Sequence, residues 1–344
     1  MILLHEATLD ELIIHTIAGK GEFKQIRLSD RPVKIAPDLA AVLKTYFLDK
    51  FRNEGQQYRL FHEYEIAMNE VFAFCKMIFN DEGDFTEVSQ AIANFLYSKS
   101  GSANIKDGEV YVTKLGNIVY DDESVQAIGI FKSENKDTFL KVFPHGDGYD
   151  IQSQEGINIK KLDKGVIVLN TEAEDGYRLL VIDQTNKKEQ AKYWVDDFLK
   201  VQPVEDEFYQ TDQVLEVFKQ INNTNQEDFD GQERLDLVSS SVEFIENNET
   251  FDNRSFYDEV LHNEKRRRLF EKVYEEQNGQ MPDPENTFDV SKKAVKKSKR
   301  FIRSVIKLDN SFHVYVHANR DRIERGFDES KQLNYYKLYF NGES

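Results

Sequence analysis

Val110-Tyr111-Val112, Ala127-Ile128-Gly129-Ile130-Phe131-Lys132, Thr138 to Phe143, Val166-Ile167-Val168-Leu169 and Tyr177 to Ile182 follow one another between about Gly108 and Thr185. Each run is short and rich in β-branched or aromatic residues, and clusters of Gly, Asp and Asn separate them, which is turn chemistry. The pattern predicts an antiparallel meander packed against helices that precede it in the chain. Upstream, Leu12 to Ile17 reads as a strand and Ala18-Gly19-Lys20-Gly21 as a turn. The first of three amphipathic helices starts near Pro37, a residue suited to the first helical position. The second carries Tyr64, Met68, Val71, Phe72, Cys75, Ile78 and Phe79 at spacings of three and four. The third opens on Asp84 with Glu87 three residues later, a capping-box arrangement, and presents Val88, Ile92, Phe95 and Leu96.

Downstream, Tyr193 to Leu199 predicts a helix that Pro203 stops or redirects, and Glu205 to Asp212 reads as a linker. One helix is expected from Thr211 to about Ile221, another with Leu235, Val238, Val242 and Ile245 on one face. A third, capped by Ser255, is expected to run through Phe256, Val260 and Leu261 to Leu269, Phe270 and Val273. Asn278 to Asn286, with Pro282 and Pro284, reads as an exposed loop. Ser291 then opens a basic helix in which Ala294, Val295 and Ser298 form a narrow stripe continued by Phe301 and Ile302. Strands are expected from Arg303 to Lys307, Phe312 to His317 and Asn334 to Phe340, with a turn at Asp309-Asn310 and a short helix from Arg320 to Arg325. The fold class is therefore α+β. Residues 1–204 form a domain of helices and antiparallel sheet, and residues 205–344 a helical domain with the basic helix and a terminal three-stranded sheet.

The 344 residues exceed one compact core, so two domains agree with length alone. No stretch approaches the roughly 20 apolar residues of a membrane helix, so no membrane partner is expected. The start, Met1-Ile2-Leu3-Leu4-His5-Glu6, lacks a signal peptide's basic flank and apolar length. A single cysteine, Cys75, leaves no disulfide and no cysteine-based zinc site. The expectation is a reducing cytoplasm. Forty-five Lys and Arg against 62 Asp and Glu give 45 − 62 = −17. A duplex carries one negative charge per roughly 1.7 Å of axis and repels such a chain, so any DNA contact has to come from a local basic patch.

Ile306-Lys307-Leu308-Asp309, Phe312 to His317, Ile323-Glu324-Arg325-Gly326 and Tyr335-Tyr336-Lys337-Leu338 together resemble the closing block of the NdpA/YejK family of nucleoid-associated proteins, in its Bacteroidetes-type form. Ile13-Ile14-His15, Tyr193-Trp194 through Leu199, and Phe251-Asp252 through Phe256 fit the same family in order, so the resemblance covers nearly the whole chain. It implies an abundant protein of the cytoplasm that associates with the nucleoid, and for some members a link to topoisomerase IV. No catalytic residues and no defined DNA-reading motif come with the family.

Charge reasoning supplies the candidate contacts. Lys292, Lys293, Lys296, Lys297, Lys299 and Arg300 cover the exposed part of the basic helix, with Arg303 just beyond it. Such a surface neutralises phosphates and releases counterions, which gives affinity without sequence preference. Lys265, Arg266, Arg267 and Arg268 extend the patch if the fold brings the two together. The competing reading pairs these charges with the acidic stretch from Glu205 to Asp289. The acidic surface supports a second function, an adaptor that binds a DNA-handling enzyme such as topoisomerase IV with little DNA affinity of its own. The aromatic-rich terminal strands point to a homodimer.

Enzymatic readings find little. Asp121 and Asp122 before a strand and Glu134-Asn135-Lys136 after it have the order of an Asp…Glu-x-Lys nuclease site, which holds Mg²⁺ with clustered carboxylates. The turn expected at Ser133 to Asp137 explains those residues as well. His313 and His317 share a strand face but stand about 13 Å apart, too far for one metal ion. His15 and His62 are expected to be satisfied by hydrogen bonds. There is no P-loop, dinucleotide fingerprint or Gly-x-Ser-x-Gly elbow, so neither catalysis nor a cofactor is expected.

Overall fold

The computed structural model describes residues 2–17, 26–53, 55–100, 106–184, 193–223, 231–298, 304–308, 312–316 and 322–342. The chain divides into two compact units, Met1–Val204 and Glu205–Ser344. The expected turn at Ala18 to Gly21 and that at Asp309-Asn310 lie outside the described residues.

In the first unit, strands β1 (Ile2–Leu3), β2 (Thr8–Ile17) and β3 (Ile26–Arg27) precede helix α1 (Pro37–Leu48) and β4 (Tyr58–Leu60). Helices α2 (Glu70–Phe79) and α3 (Phe85–Lys99) follow, then β5 (Gly108–Tyr120), β6 (Glu123–Ser133), β7 (Lys136–His145), β8 (Gly148–Ile157), β9 (Lys164–Leu169) and β10 (Arg178–Asp183). A π-helix (Tyr193–Leu199) and β11 (Val201–Pro203) close the unit. One antiparallel sheet runs in the order β11-β4-β10-β9-β6-β5-β2-β3, with β1 extending the edge of β5. Four strands of the expected meander, β5, β6, β9 and β10, form its centre, whereas the one expected at Thr138 to Phe143 lies in β7, which pairs with β8 outside this sheet. The β5–β6 hairpin turns on Asp121 and Asp122 at φ 45° and 67°, a two-residue turn whose twist matches the strands.

Alternation divides each central strand between two cores. Val110, Val112, Ile128, Ile130, Val166 and Val168 face α2, α3 and the π-helix. Tyr111, Phe131, Ile167 and Leu169 face Tyr46, Phe47 and Phe51 from the end of α1 and the turn after it. The sheet is thus a middle layer, and its strands read as nearly unbroken apolar runs because both faces are covered. Gly129 belongs to that packing: a Cβ there would lie 2.5 Å from the Phe131 ring, which stacks on Phe47 at 4.4 Å between centroids.

Tyr64 and Met68 do not belong to α2. They are 80% and 54% exposed, and the helix starts after Asn69, whose side chain accepts the Phe72 N–H. The same Asn69 Nδ2 donates to the carbonyls of Phe61 (3.0 Å) and Leu199 (2.9 Å), so the cap also joins two distant segments. Asp84 caps α3 as expected, accepting from the backbone of Thr86 and Glu87. Pro203 does not end the helix before it. The turn falls at Lys200, with φ 53°, and Pro203 sits in β11 opposite Tyr58.

In the second unit, α4 (Glu207–Asn223) begins four residues before the expected Thr211, so the linker is short. Helix α5 (Gly231–Asn247) and strand β12 (Thr250–Asp252) follow. The single helix expected from Ser255 is two, α6 (Asn253–Glu259) capped by Asp252 and α7 (Glu264–Asn278) capped by Asn263. Asn263 accepts the Arg266 N–H at 2.9 Å and so restarts the helix after a break at residues 260–263. Gly279, at φ 70°, ends α7 before the proline loop. Strand β13 (Thr287–Asp289) pairs with β12, placing Phe251 against Phe288 at 4.9 Å. Phe218, Phe256 and Phe270 form the centre of this core.

The basic helix α8 (Lys292–Ser298) precedes β14 (Ser304–Leu308), β15 (Phe312–Val316), β16 (Ile323–Asp328) and β17 (Leu333–Leu338). Among the described residues these pair as two hairpins, β14–β15 and β16–β17, where one three-stranded sheet is expected. Of the helix expected at Arg320 to Arg325, residues 323–325 belong to β16, and residues 320 and 321 lie outside the described residues. Asp328 accepts from the backbone of Ser330 and Lys331 and so builds the turn into β17. Cross-strand pairing then holds a segment whose only strong β-formers are Ile323 and Phe327.

Candidate nucleic-acid interface

Helix α8 is fixed from below. Ala294, Val295 and Ser298 are buried as the stripe predicted, and Val295 enters the phenylalanine core of the unit. The Ser291 N–H donates to Thr211 Oγ1 at 3.0 Å, and Ser298 Oγ reaches Asp212 Oδ1 at 3.4 Å. Both partners lie on α4, so hydrogen bonds at each end fix the rotation of a helix too short to be stable alone. Burial raises the Asp212 carboxyl, and the nearby Lys297 opposes that rise.

This seating exposes Lys292, Lys293 and Lys296. Lys297 is half-buried instead, its ammonium 5.3 Å from the centroid of Phe208. Lys292 and Lys296 border a cleft of about 610 Å³ shared with Ile245, Glu246, Glu249 and Val290. Lysines of α8 form one wall, and Glu246 of α5 with Glu249 just beyond it another, so charges of both signs line the cleft. Lys299, Arg300 and Arg303 lie outside the described residues.

Lys265, Arg266, Arg267 and Arg268 form the first turn of α7, and each has a partner within the unit. Lys265 pairs with Glu233 at 2.6 Å and Arg268 with Glu264 at 2.9 Å. Arg266 donates to the Val260 carbonyl at 3.2 Å and Arg267 to the Leu261 carbonyl at 2.9 Å, satisfying the end of α6. Glu233 sits near the start of α5, whereas the α8 lysines adjoin its other end. Thirteen residues of helix separate Glu233 from Glu246, about 20 Å. The fold therefore keeps the two basic clusters apart.

The nuclease order does not assemble. Asp121-Asp122 and Glu134 lie at opposite ends of β6, about 35 Å apart for an 11-residue strand. Glu134 is committed elsewhere, accepting from Lys132 Nζ and from the Tyr193 hydroxyl, both at 2.8 Å. Among the described residues no three His, Cys, Asp or Glu side chains are grouped to hold a metal ion. His62 Nδ1 accepts the Tyr64 N–H at 3.4 Å. His15 has two partners, Ser89 Oγ and the Ser29 N–H, each at 3.1 Å. His317 lies outside the described residues. Among these residues no helix is long and apolar enough to cross a membrane.

Sequence reasoning missed the buried charges of the first unit. Lys132 and Lys164 are cross-strand partners on β6 and β9, both fully buried. Lys132 reaches Glu134 at 2.8 Å, and Lys164 reaches Asp183 at 2.7 Å. Both ammonium groups also lie within 5.4 Å of the Tyr193 ring centroid. The cluster ties the π-helix to the sheet. A lysine ending the apolar run Ala127 to Phe131 was the only signal.

The arrangement defines a two-unit α+β chain whose second unit presents lysines on an anchored helix. Residues 13–332 match the family model of the nucleoid-associated protein YejK, and the chain belongs to that family. No curated protein matches it.

Proposed function

We propose that the protein binds chromosomal DNA with little sequence preference, and that the exposed lysines of α8 make the phosphate contacts. The family is one of nucleoid-associated proteins, which supports a reading at the nucleoid, in the bacterial cytoplasm. The supporting observation is the seating of α8: buried Ala294, Val295 and Ser298 turn Lys292, Lys293 and Lys296 outward. Lys297, half-buried beside Phe208, contributes less, and Lys299 and Arg300 follow directly in the chain with Arg303 just beyond. Lys265 to Arg268 act as a second, weaker patch because internal partners already engage them. At a net charge of −17 a duplex approaches productively only where local cations outweigh the rest.

The experiment is fluorescence anisotropy of a short labelled duplex across a salt series. Three or four phosphate contacts give a slope of log K against log salt of about −3. Replacing Lys292, Lys293, Lys296 and Lys297 by Ala should weaken binding at every salt and flatten that slope. An unchanged slope removes α8 from the interface.

The acidic total favours a second reading, an adaptor for a DNA-handling enzyme such as topoisomerase IV. Pull-down of a tagged copy after nuclease treatment separates the two, because an adaptor keeps its protein partner when DNA is gone. Absence of duplex binding even at low salt would put the adaptor first.

A further inference from the structure

The cleft beside α8 has two unlike walls. One is the end of α5, whose last turn has no basic residue to offset the negative end of the helix, continued by the exposed Glu249. The other is Lys292 and Lys296, four residues apart on α8 and therefore neighbours on one helix face. Buried Ile245 and Val295, with half-buried Val290, supply an apolar lining. The walls are held in register. The Val290 N–H donates to the Glu249 carbonyl at 2.8 Å, and Lys292 follows Val290 after at most about 7 Å of chain. At about 610 Å³ the cleft lies within the range of small-ligand sites, about 300–1,000 Å³.

We propose that this cleft binds a free guanine mononucleotide, its phosphate on Lys292 and Lys296 and its base edge on Glu249. Two ammonium groups match a phosphate monoester, which carries about −1.5 to −2 at neutral pH, whereas a carboxylate ligand would leave one of them unmatched. On the opposite wall the Glu249 carboxylate only accepts hydrogen bonds, and it takes two parallel N–H donors best. Guanine offers that pair, with N1–H and N2–H side by side on one edge. Adenine and cytosine place a ring acceptor beside their amino group, and uracil flanks its single N–H with two carbonyls. Each of these sets a lone pair against the carboxylate, which is the basis of discrimination. The aliphatic lining covers a face of the flat base. A base inside a duplex has its pairing edge occupied and cannot reach Glu249, so the ligand is a free nucleotide. Lys292 and Lys296 also serve the proposed duplex contact, but the two readings stand separately, because the nucleotide is measured without DNA.

Equilibrium dialysis of the full chain against guanosine, adenosine and uridine 5′-monophosphates, at low salt and with no DNA present, tests it. The guanine nucleotide should bind at millimolar concentration or below, and the other two at least ~10-fold more weakly. Glu249→Gln replaces an acceptor oxygen by a donor, so it should weaken the guanine nucleotide at least ~10-fold and remove the preference. Lys292→Ala combined with Lys296→Ala should weaken the nucleotide by a similar factor but leave unphosphorylated guanosine unchanged. Urea midpoints of these variants should match wild type, since all three side chains are exposed. Absence of guanine nucleotide binding at millimolar concentration overturns the proposal. Equal binding of the three nucleotides, or a guanine preference that survives Glu249→Gln, overturns it equally. A duplex that fails to bind overturns only the DNA reading of α8.

Discussion

His15 lies on the inner side of β2 with 1% of its surface exposed, and both ring nitrogens are committed. Ser89 Oγ donates to the Thr86 carbonyl at 2.7 Å, so it accepts from His15 Nε2–H, which leaves Nδ1 as the acceptor for the Ser29 N–H. A second proton has no place there. Burial lowers the pKa from 6.5 to about 4. The unfolded chain therefore takes up a proton at higher pH than the folded one. Stability from this group is complete above about pH 6.5, falls as pH drops, and is lost by pH 4, a decrease of about 3 kcal/mol. Urea unfolding followed between pH 7 and 4.5 should show this slope in wild type and a flatter one in His15→Gln. Parallel curves would mean that other groups dominate acid sensitivity.

Helix starts in this protein differ in how much tertiary structure hangs on them. Asp84 is an exposed cap that serves only α3, and Asp84→Ala should cost about 1 kcal/mol. Asn69 is fully buried, caps α2 and donates to Phe61 and Leu199. Asn69→Ala should cost roughly 2–4 kcal/mol, because it removes the cap and also strands the buried Leu199 carbonyl and the partly buried one of Phe61. Asn69→Asp keeps an acceptor for the Phe72 N–H but turns an oxygen toward those carbonyls, so it should rescue little. Chemical denaturation of the three variants checks the order, and equal losses at Asp84 and Asn69 would show that the buried bonds add nothing.

The first unit is a sheet between two apolar layers, the second a helical core of phenylalanines, and each closes on its own residues. We propose that they are independent folding domains. Expressed separately, residues 1–204 and 205–344 should each unfold cooperatively in urea, and under the proposed function the second fragment alone should bind duplex. A fragment that aggregates or melts without a transition contradicts the independence, and duplex binding confined to the first fragment contradicts the assignment to α8.

Local chemistry determined the antiparallel centre of the sheet, the cap at Asp84 and the buried stripe of α8, because alternation, capping and helical spacing act over a few residues. It also identified the lysines of α8 by number. Pairing across the chain decided the rest. Gly148 to Ile157, which mixes Gln, Ser and Glu with Tyr149, Ile151 and Ile157, becomes β8 because β7 supplies its hydrogen bonds. Ile323 to Arg325, the end of a segment that reads as helix from Arg320, opens a strand for the same reason. Backbone hydrogen bonds of a strand do not depend on its side chains, so composition cannot reveal a partner far away in the chain. Which charges meet is likewise a property of the folded chain. Lys132 and Lys164, 32 positions apart in sequence, become buried neighbours, while the clusters at 265–268 and 292–297, 24 positions apart, are held at the two ends of α5. Sequence distance measures neither case, because packing sets the separation.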